Sequence, residues 1–185
     1  MGEHENNHYR RIRLLYSMKD IQLALSAADF LQECDPEARI SKAELRRYKC
    51  YETTAIVSYA RPFSESRGRV PKLSLKMIGV KLNEESKALH DQVLDLRNRV
   101  IAHSDSEMMR MAVRFHELDI GDGKKMPYIR PAFDEGLDFV GFSPVQDLLN
   151  LFHTVFEGLY LTIMEEARKH PDKFDFRQDF LDPNK

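Results

Sequence analysis

The sequence contains no long apolar run, since none of its hydrophobic stretches approaches the roughly 20 residues of a membrane-spanning helix. Its first residues, MGEHENNHYRR, are polar and lack the apolar stretch of a signal peptide. Only two cysteines are present, Cys34 and Cys50, and their spacing fits neither a CxxC motif nor a zinc site. These absences predict a cytoplasmic protein with two reduced thiols and no association with a membrane.

Several signatures of catalysis and of cofactor binding are also missing. The sequence has no glycine-rich phosphate loop and no nucleophile elbow. The Glu-x-x-His spacing of di-iron helical bundles occurs only at Glu5–His8, in the polar N-terminal region. The 28 lysines and arginines are balanced by 30 acidic residues, which does not indicate a generally basic nucleic-acid binder. We therefore expect no metal ion and no cofactor, and we expect any nucleic-acid contact to be a local basic patch.

Four helical patterns account for most of the chain. Apolar residues at helical spacing predict helices over residues 9–34, 41–61, 84–103 and 143–170. Ser41 and Glu44 form a capping box at the start of the second helix. Ser143 and Gln146 are expected to do the same for the fourth helix, with Pro144 at its first position. These four patterns predict a mainly α fold, a four-helix up-and-down bundle. A chain of 185 residues is long enough for one well-buried core.

The segment between the third and fourth helices has a different period. Met109, Met111, Val113 and Phe115 alternate with Arg, Ala, Arg and His, which is the pattern of a half-buried β-strand. Gly-Asp-Gly at 121–123 marks a turn, and residues 126–129 supply a returning strand. The sequence thus predicts a single domain over residues 9–170 with a β-hairpin inserted at about 107–133, a polar N-terminal tail at 1–8 and a C-terminal tail at 171–185.

The end of the third helix carries the strongest candidate for chemistry, because Arg97, Asn98 and His103 lie within seven residues. Arginine holds phosphate bidentately, and histidine transfers protons near neutral pH. On an ideal helix Arg97 lies between two apolar strips and His103 lies beside Leu96, whereas Asn98 projects from the polar arc. Two explanations remain open. Either Arg97 pairs with a carboxylate of another helix while His103 caps its own helix near Asp105, or this face holds a phosphate.

Arg97 and Asn98 followed by His103 resemble the R-x4-6-H motif of the HEPN superfamily. The flanking residues 89–105 resemble abortive-infection members, in which the motif ends in a similar Ala-His-Ser-Asp. Many such proteins are metal-independent ribonucleases that act as homodimers, with the two motifs paired across a shared cleft. The resemblance therefore implies a HEPN-like bundle that cleaves RNA in a defence or toxin–antitoxin setting, with RNA, a second copy and a neutralising antitoxin as partners.

The resemblance also implies a role for each residue of the motif. His103 acts as general acid or base on the 2′-hydroxyl or the leaving oxygen, Arg97 neutralises the scissile phosphate, and Asn98 orients the phosphate or the histidine. Cleavage through the neighbouring 2′-hydroxyl needs proton transfer and charge stabilisation but no metal ion. Because the family includes inactive members, the alternative is a non-catalytic helical module that dimerises, binds a partner or binds a nucleotide.

A second candidate site is the basic segment that follows the second helix, where residues 61–76 contain five basic residues and one acidic residue. We expect this segment to contact the RNA backbone and, with Tyr59 nearby, to stack a base. The RNA-binding residues singled out here are Arg61, Phe63, Arg67, Arg69 and Lys72. The alternative is a solvated loop in which Arg61 caps the end of the second helix. A third basic group, predicted to lie on an exposed face of the first helix, comprises Arg10, Arg11 and Arg13.

Overall fold

The computed structural model describes residues 3–35, 38–65, 69–98, 111–133 and 144–174. Within these ranges the helices are α1 (Glu3–Leu31), α2 (Lys42–Ala60), α3 (Glu84–Leu96) and α4 (Val145–Lys169). An antiparallel hairpin of β1 (Met111–Asp119) and β2 (Lys125–Phe133) lies between α3 and α4 in the sequence. This order confirms the prediction of a mainly helical fold with a hairpin insertion. None of the described helices is long and apolar enough to cross a bilayer.

Side-chain caps determine where α2 and α3 begin. The backbone N–H of Glu44 donates to Ser41 Oγ at 3.2 Å, and the backbone N–H of Ser41 donates to the Glu44 carboxylate at 2.8 Å. This reciprocal pair confirms the capping box. Asn83 caps α3 through a single bond, in which its Oδ1 accepts the backbone N–H of Ser86 at 2.8 Å.

Three helix-end predictions need correction. Helix α1 begins at Glu3, so residues 3–8, predicted as a polar tail, form its first turns. At α4, Pro144 is the N-cap itself, and the side chain of Gln146 bonds to Gln32 and Asn150 rather than capping. Ser143, the other half of that predicted capping box, lies outside the described residues. After α4, Pro171–Lys173 form a short 3₁₀ turn that brings Phe174 onto the core, so the predicted C-terminal tail is ordered at its start.

The hydrophobic core lies where α1 packs against α2 and α4, and where α3 closes over α2 and α4. The apolar residues at helical spacing in α4 form one stripe, most of which is buried, whereas Met164 is 45% exposed. The largest fully buried apolar side chains come from all four helices: Leu14, Ile21, Leu31, Ile56, Tyr59, Val93, Leu148, Leu151, Phe152 and Leu159.

The connection from α2 to α3 packs against α4 at Gly158. It contains two 3₁₀ turns, Arg61–Phe63 and Leu75–Ile78. A Cβ added at Gly158 would lie 2.3 Å from Val80 Cγ2 and 2.9 Å from the backbone oxygen of Ile78. The connection therefore approaches α4 more closely than any residue with a side chain would allow.

The first-helix arginines do not form the exposed face that was predicted. Arg11 and Arg13 are buried, with 8% and 7% exposure. Arg10 forms a 2.7 Å salt bridge with Glu166 of α4, and Arg11 Nε lies 3.8 Å from the same carboxylate. Arg13 donates to the backbone oxygen of Pro71. These side chains hold α1 against α4 and the α2–α3 connection, which explains their burial.

The hairpin lies apart from this core. Arg114 is opposite Arg130 across the two strands, and Pro127 and Pro131 are opposite Glu117 and Val113. Every side chain described between residues 113 and 131 is exposed. The prediction of a half-buried strand is therefore wrong for these residues. Alternation places successive side chains on opposite faces, but it does not bury either face. Within the described part of the chain, each strand packs chiefly against the other strand.

Candidate functional site

A pocket of about 360 Å³ forms where the end of α3 meets the 3₁₀ turn after α2. The residues that line it are Phe63, Ser64, Glu65, Leu94, Arg97 and Asn98. Two residues of the predicted motif, Arg97 and Asn98, thus lie beside Phe63 from the second predicted site. The two predicted sites are separate in the sequence. The packing of α2 against α3 brings parts of both together.

The way α3 ends determines how Arg97 and Asn98 are presented. Val93 and Leu96 are buried and fix the last turn of the helix in the core. The backbone N–H of Arg97 bonds to the backbone oxygens of Val93 and Leu94, and the chain then widens into a π-type turn at residues 97–98. An ideal helix would direct Asn98 away from Arg97. The widened turn explains why both side chains line the same pocket.

The Arg97 guanidinium is held by a neutral group. Its Nη1 donates to Asn98 Oδ1 at 2.8 Å, and Arg97 is half-buried while Asn98 is exposed. In the described ranges no carboxylate forms a salt bridge with Arg97. A guanidinium has five N–H donors, of which Asn98 takes one. The arrangement therefore keeps a full positive charge at the pocket, and the amide fixes the plane of the guanidinium.

Glu65, one of the lining residues, forms an exposed ion pair. Lys72 Nζ lies 2.8 Å from Glu65 Oε1, and the two side chains are 56% and 81% exposed. Solvent screens a pair as exposed as this, so it contributes at most about 1 kcal/mol to stability. An anion that displaces Glu65 from Lys72 therefore costs little free energy.

A buried polar pair lies behind Phe63. Tyr59 Oη and His90 Nδ1 are 2.8 Å apart, and the His90 ring is 4.8 Å from that of Phe63. Phe152 stacks on Tyr59 at 4.4 Å. Burial lowers the pKa of His90 and raises the pKa of Tyr59, so both groups are neutral at pH 7. This pair supports the aromatic wall of the pocket from inside.

Sequence reasoning did not single out His90, although a signal for it exists. On the helical projection His90 falls about 100° from Leu89, near the second apolar strip that includes Leu94. A histidine at that position is expected to be buried and to need a hydrogen-bond partner. The expectation that Tyr59 stacks a base is wrong, because its ring is fully buried.

The other predicted site residues lie elsewhere or outside the described ranges. Arg61 forms a 2.7 Å salt bridge with Asp20 of α1, so it links α1 to the end of α2 rather than lining the pocket. Arg69 is exposed and is not among the lining residues. Arg67 and His103 lie outside the described residues. Of the eight predicted residues, Arg97, Asn98 and Phe63 therefore line the pocket, and Lys72 pairs with Glu65, another lining residue.

The groups in the pocket suit an anion next to a planar ring. A guanidinium and an amide supply donors for phosphate oxygens, and the partly buried ring of Phe63 supplies a stacking surface. In the ranges that the structure covers, no group of three or more His, Cys, Asp or Glu side chains is placed to hold a metal ion. The side chains that line the pocket supply a positive charge, an amide and an aromatic ring.

Comparisons with protein-family models, with curated proteins and with solved structures find no match for this chain. The case for a function therefore depends on the pocket and on the sequence motif that ends at His103.

Proposed function

We propose that this protein is a metal-independent endoribonuclease of the HEPN type, built on an up-and-down helical bundle, which binds RNA phosphate at the pocket between α3 and the turn after α2. The observation that carries the proposal is the hydrogen-bonded Arg97–Asn98 pair, which lines this pocket together with Phe63. By the resemblance, the setting is defence or toxin–antitoxin control, with an antitoxin as a further partner.

In this mechanism Arg97 and Asn98 bind the phosphate. Arg97 holds two of its oxygens and neutralises the charge that develops as the 2′-oxygen attacks phosphorus. Asn98 accepts from the guanidinium through Oδ1, which leaves its N–H₂ group to donate to the substrate. Phe63 stacks on the adjoining base, and Lys72 exchanges Glu65 for a flanking phosphate.

Proton transfer is assigned to His103. One imidazole takes the proton from the 2′-hydroxyl, and another gives a proton to the departing 5′-oxygen. The products are a 2′,3′-cyclic phosphate and a 5′-hydroxyl end. Because the motif of each chain contains a single histidine, a homodimer with two paired motifs supplies both the acid and the base.

The test compares the wild type with His103→Ala and Arg97→Ala on mixed-sequence RNA in the presence of EDTA. We expect the wild type to leave 2′,3′-cyclic phosphate ends, and each variant to be slower by about 100-fold or more. Arg47→Ala is the matched control, because Arg47 lies over Tyr48 near the start of α2, on the order of 20 Å along the helix from the pocket. This control should cleave at the wild-type rate.

A non-catalytic RNA-binding module is the second candidate, and one observation favours it. Apart from Arg97, the only titratable side chain that lines the pocket among the described residues is Glu65, which is exposed and paired with Lys72. RNA binding that Arg97→Ala weakens, without cleavage of any RNA by the wild type, would support the module. Equal cleavage by wild type and His103→Ala would remove His103 from the mechanism.

A further inference from the structure

The two faces of the hairpin have different chemistry. Side chains at alternate positions of paired strands share a face, so the even-numbered residues of β1 and β2 lie on one side. We call this side the basic hairpin face, and its described members are Arg114, His116, Leu118, Met126, Tyr128 and Arg130. The opposite face carries Glu117, Asp119 and Lys125, with Lys125 3.0 Å from Glu117. The carboxylates of the two strands are therefore on the other side from the arginines.

The arginines of the basic hairpin face are opposite each other. The bond from Ile120 N to Lys124 O fixes which pairs exchange hydrogen bonds, and it makes Arg114 and Arg130 such a pair, with Cα atoms about 5.5 Å apart. Like charges in directly opposite positions destabilise a hairpin. Both arginines are exposed, and none of the described carboxylates pairs with either of them. An anion bound between the two would relieve their repulsion.

An aromatic pair is adjacent to the arginines. The next pair on this face is His116 and Tyr128, whose ring centroids are 6.3 Å apart with an interplanar angle of 35°. Tyr128 is 43% exposed, so its ring is open to a planar ligand. A paired guanidinium site next to accessible rings matches a ligand that combines anions with planar groups. An acidic peptide provides the anions alone, whereas a single strand of RNA provides both.

We propose that the basic hairpin face is a second RNA-binding site, distinct from the pocket, in which Arg114 and Arg130 hold the phosphate backbone and Tyr128 and His116 stack on a base. The choice of RNA as the ligand rests on the proposed function. The site serves to hold the strand and takes no part in the chemical step.

The experiment measures binding of the full chain to a fluorescein-labelled, single-stranded 2′-O-methyl RNA. This RNA lacks the attacking 2′-hydroxyl, so binding is observed without cleavage. We expect the double variant Arg114→Gln/Arg130→Gln to bind at least tenfold more weakly. The slope of log K against log salt should fall by about 0.7 if the arginines share a phosphate and by about 1.4 if each holds its own.

Two controls separate charge and stacking from folding. Lys125→Gln removes a positive charge from the opposite face and should change the affinity by less than twofold. Tyr128→Ala should weaken binding about fivefold or more, whereas Tyr128→Phe keeps the ring and should bind as the wild type does. Because the double arginine variant removes a repulsive pair, loss of its binding is not explained by loss of the hairpin.

The outcomes distinguish this proposal from the nuclease proposal. Hairpin-dependent binding without cleavage of ordinary RNA would support the second site and contradict the nuclease. Cleavage by the wild type, with unchanged affinity in the double arginine variant, would overturn the second site and leave the nuclease. A wild type that binds polyglutamate but not the RNA would identify an acidic protein as the ligand and would also overturn the proposal.

Discussion

The helical core and the hairpin contain similar side chains in opposite surroundings. Phe152 is fully buried and stacks on Tyr59, whereas Phe115 is 64% exposed. Arg10 in α1 pairs with Glu166 of α4, whereas Arg114 in the hairpin is opposite another arginine. In the core, each of these side chains is accounted for by contacts within the chain. Contacts within the chain do not explain the exposed arginines and aromatic rings of the hairpin. This contrast favours a role of the hairpin in binding.

The largest effect should come from the same truncation made in the two regions. Phe152→Ala removes a fully buried ring and should lower the free energy of unfolding by about 3–5 kcal/mol. Phe115→Ala removes an exposed ring and should change it by about 0.5 kcal/mol or less. Urea denaturation of both variants measures the difference. A large loss of stability in Phe115→Ala would mean that the hairpin face on which Phe115 lies is covered in solution, and the contrast between the two regions would then fail.

The next largest effect is expected at Gly158, where the core is tightest. Gly158→Ala places a Cβ against Val80 and the Ile78 backbone, so the connection must shift away from α4. We expect a loss of about 1–3 kcal/mol, in spite of the higher helix propensity of alanine. Thr162→Ala, on the same helix, is the control for a change in propensity. A variant as stable as the wild type would show that the connection can shift away from α4 without loss of packing, and the core would then not be tightest at this position.

The smallest effect is a pH dependence that the core should show through His90. Burial lowers the pKa of His90, so below its ordinary value of about 6.5 the unfolded chain binds a proton that the folded chain does not. Stability is therefore complete above pH 6.5 and falls as the pH is lowered toward the pKa of the folded state. Thermal denaturation between pH 7.5 and 5 should show this fall in the wild type.

The His90→Asn variant should show a shallower pH dependence than the wild type, although it is less stable at every pH. His153→Asn removes an exposed histidine of α4 and is the control. Identical pH dependence in the wild type and His90→Asn would mean that His90 is not the group responsible.

The sequence predicts the helices well because the signals that begin and end them are local. The Ser41–Glu44 capping box, Asn83 and the apolar stripe of α4 act over four residues or along one face of one helix. The hairpin is predicted for the same reason, since Gly121 and Gly123 adopt positive φ in its turn. Burial of the hairpin is not predicted correctly, because period-two alternation carries no information on whether another element is present to cover a face.

The candidate site could be predicted only in parts. The sequence predicts Arg97, Asn98 and Phe63 as site residues, but their meeting in one pocket depends on how α2 packs on α3. The position of Asn98 depends on the widened turn after Leu96, which no residue type signals. The salt bridge of Arg61 is not predicted, because its partner, Asp20, is 41 residues away in the sequence and carries no signal of its own.

The prolines of β2 have a consequence for how this molecule meets copies of itself. Pro127 and Pro131 are at positions where the backbone N–H of another residue would point away from β1. The outer edge of β2 therefore lacks two N–H donors. The outer edge of β1 has no proline and keeps its donors at Val113, Phe115 and Glu117. Among the described residues of the ribbon, the outer edge of β1 therefore keeps the full set of donors that pairing with another strand requires, and the outer edge of β2 does not. Sheet growth between molecules would stop at a closed pair instead of continuing into a fibril.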